Sequence, residues 1–542
     1  MATSALSTLT SPLQSLAWAP LVKLSRSAVL GLFSRLTEGT LNLTDVDGTT
    51  FKYGDPVLVR SKHGRSSASG DLHDARTCAQ KSSSSNSSAS PRAELTIKSD
   101  TFWVRMLVGA DLGFAESYMA GEVDTKDLGA IFALFIRNRS ALSEMQVGLV
   151  SNVSSYIQGL LNRRYANTRA GSLSNIGAHY DISNIMYEAF LSKDMTYSCA
   201  VFPTLDADVS GPLLERNLER AALSGRPVQN GHGGTTLTGA LPRAVYSSDG
   251  PGGITPPDTE AISRDAVTDE LEAGQLAKLR LHISRANIGS GDKVLEIGTG
   301  WGSFAIEAVR QTGCTVDSLT LSIEQKALAE ARIQKAGLQG SIRVHLMDYR
   351  DMPSSWTDTF DRVVSIEMLE AVGIEFLSGY FAAINRVLKR SGGTACFQCI
   401  TMPESRFDAY IHQVDFIKKW IFPGGVLPSV TSLVEAATQG SKGGLVLDSA
   451  ISIGPHYSRT LREWKTRFEA NFDQTIAPAL LNDHEEIRRL PPAQQKKQIE
   501  VFRKKWIYYF VYCEIGFTER VIGDHILAFT REGNVTLPVI CA

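Results

Sequence analysis

Val294-Leu295-Glu296-Ile297-Gly298-Thr299-Gly300-Trp301-Gly302 reads as a β-strand running straight into a glycine-rich turn. Glycines let a backbone turn tightly and approach a ligand at the mouth of a sheet, where open α/β folds bind their cofactors. Working outward from this stretch, apolar runs and helical periodicity alternate. Strands are expected at 293–297, 315–319, 342–346, 362–366 and 394–400, with helices near 304–311, 324–335 and 376–388. The alternation predicts an α/β fold with a doubly wound, mostly parallel sheet. Upstream, Thr268 precedes Asp269 and Glu270 as an N-cap with an acidic first turn, and Leu276, Leu279, Ile283 and Ala286 give the following helix its apolar face.

The turn also discriminates between ligands. A dinucleotide site would show Gly-x-Gly-x-x-Gly and an acid about 20 residues on for the ribose. Here the spacing is Gly-x-Gly-x-Gly, and the second strand ends in Ser318-Leu319-Thr320-Leu321-Ser322 with no acid. Glu296, inside the first strand, is placed to hold a ligand's ammonium or to shape the loop. These features favour S-adenosylmethionine over NAD. Asp348-Tyr349-Arg350, just past the third strand, would sit over the adenine end or be an ordinary polar strand exit.

The chain has 542 residues, with 55 Lys+Arg against 57 Asp+Glu and 43% hydrophobic residues. A net charge of −2 lacks the basic excess of nucleic-acid proteins, so no nucleic-acid partner is expected. The length allows roughly two to four domains. Seven scattered cysteines, Cys78, Cys199, Cys314, Cys396, Cys399, Cys513 and Cys541, do not make a secreted disulfide framework, which points to a reducing compartment. Cys396 and Cys399 sit three apart on a strand and point to opposite faces, so they are not a redox pair. His179, His412 and His456 lack metal-ligand spacing, and no metal is expected. Nor does any stretch of about 18 residues run apolar without a charge, so no spanning helix is expected.

Residues 1–37 contain no Asp or Glu, many Ser and Thr, and the basic residues Lys23, Arg26 and Arg35. From Pro20, Leu21, Leu24, Ala28, Leu32 and Leu36 share a helical face. Three readings stand: a membrane-surface helix, a mitochondrial transit peptide, and a first helix packed on the domain that follows. Residues 38–150 read as a small N-terminal α+β domain, with a hairpin at Asp47-Gly48 and a Ser-rich insertion at 61–91. A segment at 151–204 precedes a second low-complexity insertion at 205–263, and 264–542 is the main domain.

Several blocks in register carry a family likeness. The run His179-Tyr180-Asp181-Ile182-Ser183-Asn184 and then Met195-Thr196-Tyr197-Ser198-Cys199-Ala200 resembles the signature of cyclopropane fatty acid synthases and mycolic acid cyclopropane synthases. Residues 294–302, Thr320-Leu321-Ser322 with Gln325, and Ser365-Ile366-Glu367-Met368-Leu369-Glu370-Ala371-Val372-Gly373 continue it, as do 416–425 and Tyr508-Tyr509-Phe510. Ala115-Glu116-Ser117-Tyr118-Met119-Ala120-Gly121-Glu122 resembles the extra N-terminal domain of longer members. The resemblance implies a class I methyltransferase fold, with 151–204 as the signature segment covering the cofactor site and 264–542 as the methyltransferase domain with its lipid-substrate elements. It also implies transfer of a methyl group from S-adenosylmethionine to the double bond of an acyl chain in a membrane phospholipid, closing a cyclopropane after loss of a proton.

By the same resemblance Tyr197, Ser198, Gly298, Gly300, Gly302, Thr320, Leu321 and Gln325 would contact the cofactor, joined in our reading by Glu296, Asp348 and Tyr349. Bacterial members use a bicarbonate ion as base, held by residues matching Cys199, Glu370, Ile400 and Tyr457. A histidine of that set is Gln398 here, and another family histidine is Ala371.

The chemistry makes its own demands. An alkene is a poor nucleophile, so the site must be aligned and dry, and aromatic faces stabilise the resulting cation by about 0.5 to 2 kcal/mol each. Tyr180, Tyr197, Phe416 and Tyr457 qualify, as would any core aromatic. Glu370, after an apolar strand, should have a raised pKa. Cys199 reads as a packing or hydrogen-bonding thiol rather than a nucleophile.

Three functions remain in play. One is a cyclopropane-forming enzyme on unsaturated phospholipids. The second is a C-methyltransferase giving a methyl or methylene branch on a fatty acyl, sphingoid or other alkene lipid. The third is a non-catalytic lipid-binding protein. For the enzyme readings the expected setting is cytoplasmic and peripheral on a membrane surface, with mitochondria as the alternative and a homodimer as one option.

Overall fold

The computed structural model describes residues 12–54, 90–143, 184–203, 205 and 269–537. Almost all of both predicted insertions, His179 to Ser183, and Tyr180 as a cation-facing aromatic lie outside the described residues. The chain forms two compact units. The first takes residues 1–179, 405–425 and 477–521; the second takes 180–404, 426–476 and 522–542.

The second unit is built on a seven-stranded sheet. Its strands are β5 (Lys293–Ile297), β6 (Thr315–Thr320), β7 (Ile342–Leu346), β8 (Arg362–Ile366), β9 (Thr394–Thr401), β10 (Val446–Ser452) and β11 (Gly523–Thr530), in the order β10-β11-β9-β8-β5-β6-β7. β5 to β9 pair in parallel, while β11 runs antiparallel to β9 and β10 antiparallel to β11. The mostly parallel, doubly wound fold is therefore the one the alternation predicts, with two antiparallel strands that the sequence reading did not contain. Their signals are weak for physical reasons. β10 is mostly exposed on an edge, and β11 follows a long helix with no turn of its own kind to announce it.

Central strands show the burial expected of a sheet covered on both faces: seven of the eight residues of β9 are buried, as are the last four of β5. Below one face Phe381, Phe397 and Phe529 interlock with Tyr380, the Phe381 and Phe397 rings lying 5.4 Å apart edge to face. From β5 the chain steps outward to β6 and β7, then returns to the other side for β8. That reversal puts a topological switch point at the C-terminal ends of β5 and β8, where open α/β sheets hold ligands.

The first unit carries β1 (Thr40–Thr44), β2 (Thr50–Tyr53), β3 (Arg92–Ile97) and β4 (Val123–Asp124) in the order β2-β1-β3-β4. β1 and β2 form the hairpin at Asp47-Gly48, and β1 pairs in parallel with β3. The helix Pro12–Phe33 buries Ser25, Val29 and Phe33, and Arg26 pairs with Asp45 at 2.5 Å. The expected stripe is thus misplaced by about a residue: Leu21 and Leu24 are exposed, and the face one position on packs inward. Helix Pro492–Thr518 also belongs to this unit, with Tyr508 against Phe132 at 5.0 Å and Phe114 at 6.3 Å. Within the stretch 264–542, residues 405–425 and 477–521 cluster with the N-terminal residues. An apolar helix face does not say in sequence which core it joins.

Candidate active site

The glycine turn is held open by its backbone. Gly298, Gly300 and Gly302 take φ of 103°, 50° and 86°, the left-handed region that side chains disfavour. The amides of Gly298 and Thr299 both donate to the Leu319 carbonyl at 3.0 Å, tying the turn to the end of β6. A Cβ built on Gly300 meets nothing within 4 Å, so the turn faces open space. Gly302 then starts helix Ser303–Thr312.

Glu296 acts behind the turn. It is buried, and its carboxylate accepts from Ser318 Oγ at 2.5 Å, while Ser318 Oγ and Thr299 Oγ1 share a hydrogen bond of 2.6 Å. Burial pushes its pKa up to about 8. Its local role is therefore to shape the loop. Arg332 clamps the turn from outside, donating to the carbonyl of Trp301 and, at 2.7 Å, to that of Asp194.

At the end of β6, Thr320 Oγ1 donates to Gln325 Oε1 at 3.0 Å, and Leu321 precedes the cap Ser322 that starts helix Ile323–Lys335. Asp348 is engaged by Arg350, through Nε at 2.8 Å and Nη2 at 2.5 Å, and Tyr349 stacks edge-on to Tyr380 at 4.9 Å. Tyr197 lies in an aromatic wall with Tyr187 at 5.3 Å and Trp464 at 5.0 Å, and Tyr187 reaches Trp301 at 5.0 Å. Ser198 Oγ accepts from Lys278 Nζ at 2.6 Å; Lys278 is fully buried.

Beyond β8 a second cluster forms around Glu367. Its Oε1 accepts from the Cys199 amide at 2.8 Å and from Gln398 Nε2 at 2.6 Å, and its Oε2 accepts from the Tyr457 hydroxyl at 2.6 Å. Gln398 Nε2 also donates to Asp524 Oδ2 at 2.8 Å. Three residues on, Glu370 Oε1 accepts from the Ile400 amide at 2.6 Å, and its Oε2 is buried without a partner. Burial first, then the Glu367 charge, pushes the Glu370 carboxyl up to about 8. Asp524 is pushed well above the usual carboxylate range by burial and by Glu367. The Cys199 thiol donates to the carbonyls of Ala200 at 3.3 Å and Ile453 at 3.8 Å, and burial holds it protonated. It packs and hydrogen-bonds.

Of the remaining residues singled out in sequence, Phe416 packs on Tyr508 at 4.5 Å inside the first unit. His456 accepts from the Phe202 amide at 3.2 Å. Among the described residues no group of three His, Cys, Asp or Glu is arranged to hold a metal.

A family profile described as mycolic acid cyclopropane synthetase matches residues 167–218 and 262–525, more than half of the chain. The chain belongs to that family. A tuberculostearic acid methyltransferase of Mycobacterium tuberculosis is 31% identical over 422 residues, covering 78% of this chain and 79% of that protein. The cyclopropane-fatty-acyl-phospholipid synthase of Escherichia coli is 26% identical over 446 residues, covering 81% and 88%. A solved cyclopropane synthase of Mycobacterium tuberculosis aligns with 66% of this chain and 97% of its own at 22% identity, with a TM-score of 0.46. The protein is an S-adenosylmethionine-dependent methyltransferase.

The cofactor fits the residues present. The left-handed turn at 298–302, facing open space at Gly300, would take its amino-acid end. Bicarbonate does not fit. Cys199 N–H and Tyr457 O–H, two of the groups that the resemblance implies would hold it, donate to Glu367, and Ile400 N–H donates to Glu370. A further anion would also enter beside the Glu367, Glu370 and Asp524 carboxyl groups. Glu367, Asp524 and Lys278 were missed in the sequence reading. Glu367 stood in plain view inside the 365–373 block, where an acid three residues before Glu370 was the available signal; Asp524 and Lys278 carry no local signal at all.

Proposed function

We propose that the enzyme methylates the double bond of an unsaturated acyl chain in a phospholipid and closes a cyclopropane. The observation that carries this reading is a half-buried carboxylate held by three donors at the end of β8, the strand beside β5 and its glycine turn. Ring closure needs that combination: a proton acceptor, no water, and a cofactor at the switch point. When bound, S-adenosylmethionine supplies an electrophilic methyl group. The chain supplies the rest. Buried Cys199, Gln398, Tyr457 and Asp524 keep water from a carbocation, and the Tyr197, Tyr457 and Trp464 rings offer π faces to positive charge.

The reading also puts the enzyme peripherally on a membrane, where such phospholipids are found; among the described residues no helix is long and apolar enough to cross one. A trideuterated cofactor methyl tests the product. A cyclopropane keeps two deuterons and, in unlabelled product, shows upfield ring protons by NMR. Three deuterons and no ring protons would establish a methyl branch instead. That second reading has one observation in its favour: the 31% relative is named a methyltransferase and not a cyclopropane synthase.

A further inference from the structure

We propose that Glu367 is itself the base that removes a proton from the transferred carbon, so that turnover requires no bicarbonate. The inference rests on the alkene-methylating reading above but not on whether a ring or a methylene branch results.

Four observations converge. First, the Glu367 carboxylate takes hydrogen bonds from Cys199 N, Gln398 Nε2 and Tyr457 Oη at 2.6 to 2.8 Å. Cys199 and Tyr457 are positions the resemblance assigns to a bound bicarbonate, and Gln398 stands where the histidine of that set would be. A carboxylate and a bicarbonate present the same planar pair of oxygens on one carbon, so one can occupy the other's place. Second, Glu367 has φ of 48°. A side chain in that region costs about 1 to 2 kcal/mol, and it persists where surrounding contacts over-determine it. The three side-chain bonds, with the Glu367 amide donating to the Gln398 carbonyl at 2.9 Å, supply that determination.

Third, Gln398 suits a carboxylate partner. Its amide nitrogen serves both Glu367 and Asp524, one N–H for each, and it brings no charge of its own. Fourth, the three donors single out Glu367 as the member of the cluster to carry charge. Burial raises all three carboxyls, but at Glu367 the hydrogen bonds from Cys199 and Tyr457 and the Lys278 charge oppose it, whereas at Glu370 and Asp524 the Glu367 charge adds to burial. Three donors turned on one carboxyl group are the pattern of a carboxylate.

The step balances within the site. The C–H bond of the transferred carbon breaks, its electron pair forms the second carbon–carbon bond of the ring, and the proton goes to a Glu367 carboxylate oxygen, to be released to solvent after product leaves. In a methylene product a hydride first shifts from the methyl-bearing carbon to its cationic neighbour, the C–H pair of the transferred carbon then forms a double bond to the methyl-bearing carbon, and the proton's destination is unchanged.

The experiment uses the full chain. With unsaturated phospholipid vesicles and S-adenosylmethionine in carbon-dioxide-purged buffer, wild-type turnover should be the same with and without added bicarbonate. Glu367→Gln should lose about 10² to 10⁴ in rate with no rescue. Glu367→Gly relieves the left-handed strain and exposes the Cys199, Gln398 and Tyr457 donors; its rate should recover in part on adding bicarbonate. Carbon-13 NMR of labelled bicarbonate gives a readout independent of turnover, with binding expected to Glu367→Gly and none to wild type. Bicarbonate that binds and accelerates the wild type, or a Glu367→Gln variant with the wild-type rate, would overturn the proposal. A wild type that modifies no alkene would instead remove the functional reading, and the NMR comparison would still decide who holds the oxyanion position.

Discussion

The glycine turn at 298–302 and the carboxylate cluster around Glu367 sit at the C-terminal ends of neighbouring strands, yet they are built in opposite ways. The turn is local: five consecutive residues, three of them glycines, set its shape, and the contacts from Leu319 and Arg332 only brace it. The cluster is assembled from afar. Cys199 reaches Glu367 across 168 residues, Tyr457 across 90, and Asp524 reaches Gln398 across 126. A backbone-made site is written where it acts, whereas a side-chain-made site is written in pieces that each look ordinary.

The sharpest way to break this contrast is Gly300→Val. The turn has no long-range contact able to compensate for a β-branched residue at φ of 50°, so cofactor binding should vanish in calorimetry. Retained affinity would mean that the turn does not make the site.

A pH experiment probes both regions together. Glu296 behind the turn and Glu370 in the cluster are each pushed from 4.5 up to about 8 by burial. A carboxyl whose folded pKa lies above its unfolded one binds more protons when folded. Its contribution is complete below about 4.5, and it is lost as pH rises through about 8. The melting temperature should therefore fall between about pH 5 and 8, each group contributing up to about 1.4 kcal/mol per pH unit. Glu296→Gln and Glu370→Gln should each flatten part of that slope. A stability that rises over the same interval would show both carboxyls to be ionised in the folded enzyme.

These differences explain what could be read in advance. The α/β alternation, five parallel strands and the glycine turn all follow from periods of two and 3.6 residues and from glycine's conformational freedom, which are properties of short windows. In the helix Pro492–Thr518, Trp506, Tyr508 and Phe510 mark a buried face without saying against what it packs, and the structure groups it with the N-terminal residues. Cys199, Gln398, Ile400 and Tyr457 entered through the family likeness and not through their own spacing. Glu367 lies inside the 365–373 block without standing out from it, because a left-handed glutamate held by three distant donors has no periodic signature.

A smaller effect is expected from Arg332, which joins the turn to the Asp194 segment. Arg332→Ala removes charge-assisted hydrogen bonds of about 1.5 to 3 kcal/mol, some of which water replaces. Cofactor affinity should weaken about tenfold, with the fold intact. An unchanged dissociation constant would show that the turn stands without its brace, making it even more local than described.

The smallest effect is the most telling for the cluster. Glu367 and Glu370 are three residues apart, both half-buried, and both glutamates, but they should respond differently to the same substitution. Glu370 receives one backbone hydrogen bond, from Ile400, and burial keeps it protonated up to about pH 8. Glutamine is close in shape to that neutral acid, and its carbonyl can still accept from Ile400 N–H. Glu370→Gln should therefore hold its rate within about threefold of wild type at neutral pH, a barrier change below about 0.7 kcal/mol. Above about pH 8 the two should diverge. Wild type gains a second negative charge beside Glu367, which disfavours two adjacent anions and makes Glu367 hold its proton longer after the step, whereas the variant gains none. The pH profile of Glu370→Gln should accordingly lack the alkaline limb of the wild type. A loss of about 10² or more at neutral pH would assign the proton transfer to Glu370, and the two glutamates would exchange roles.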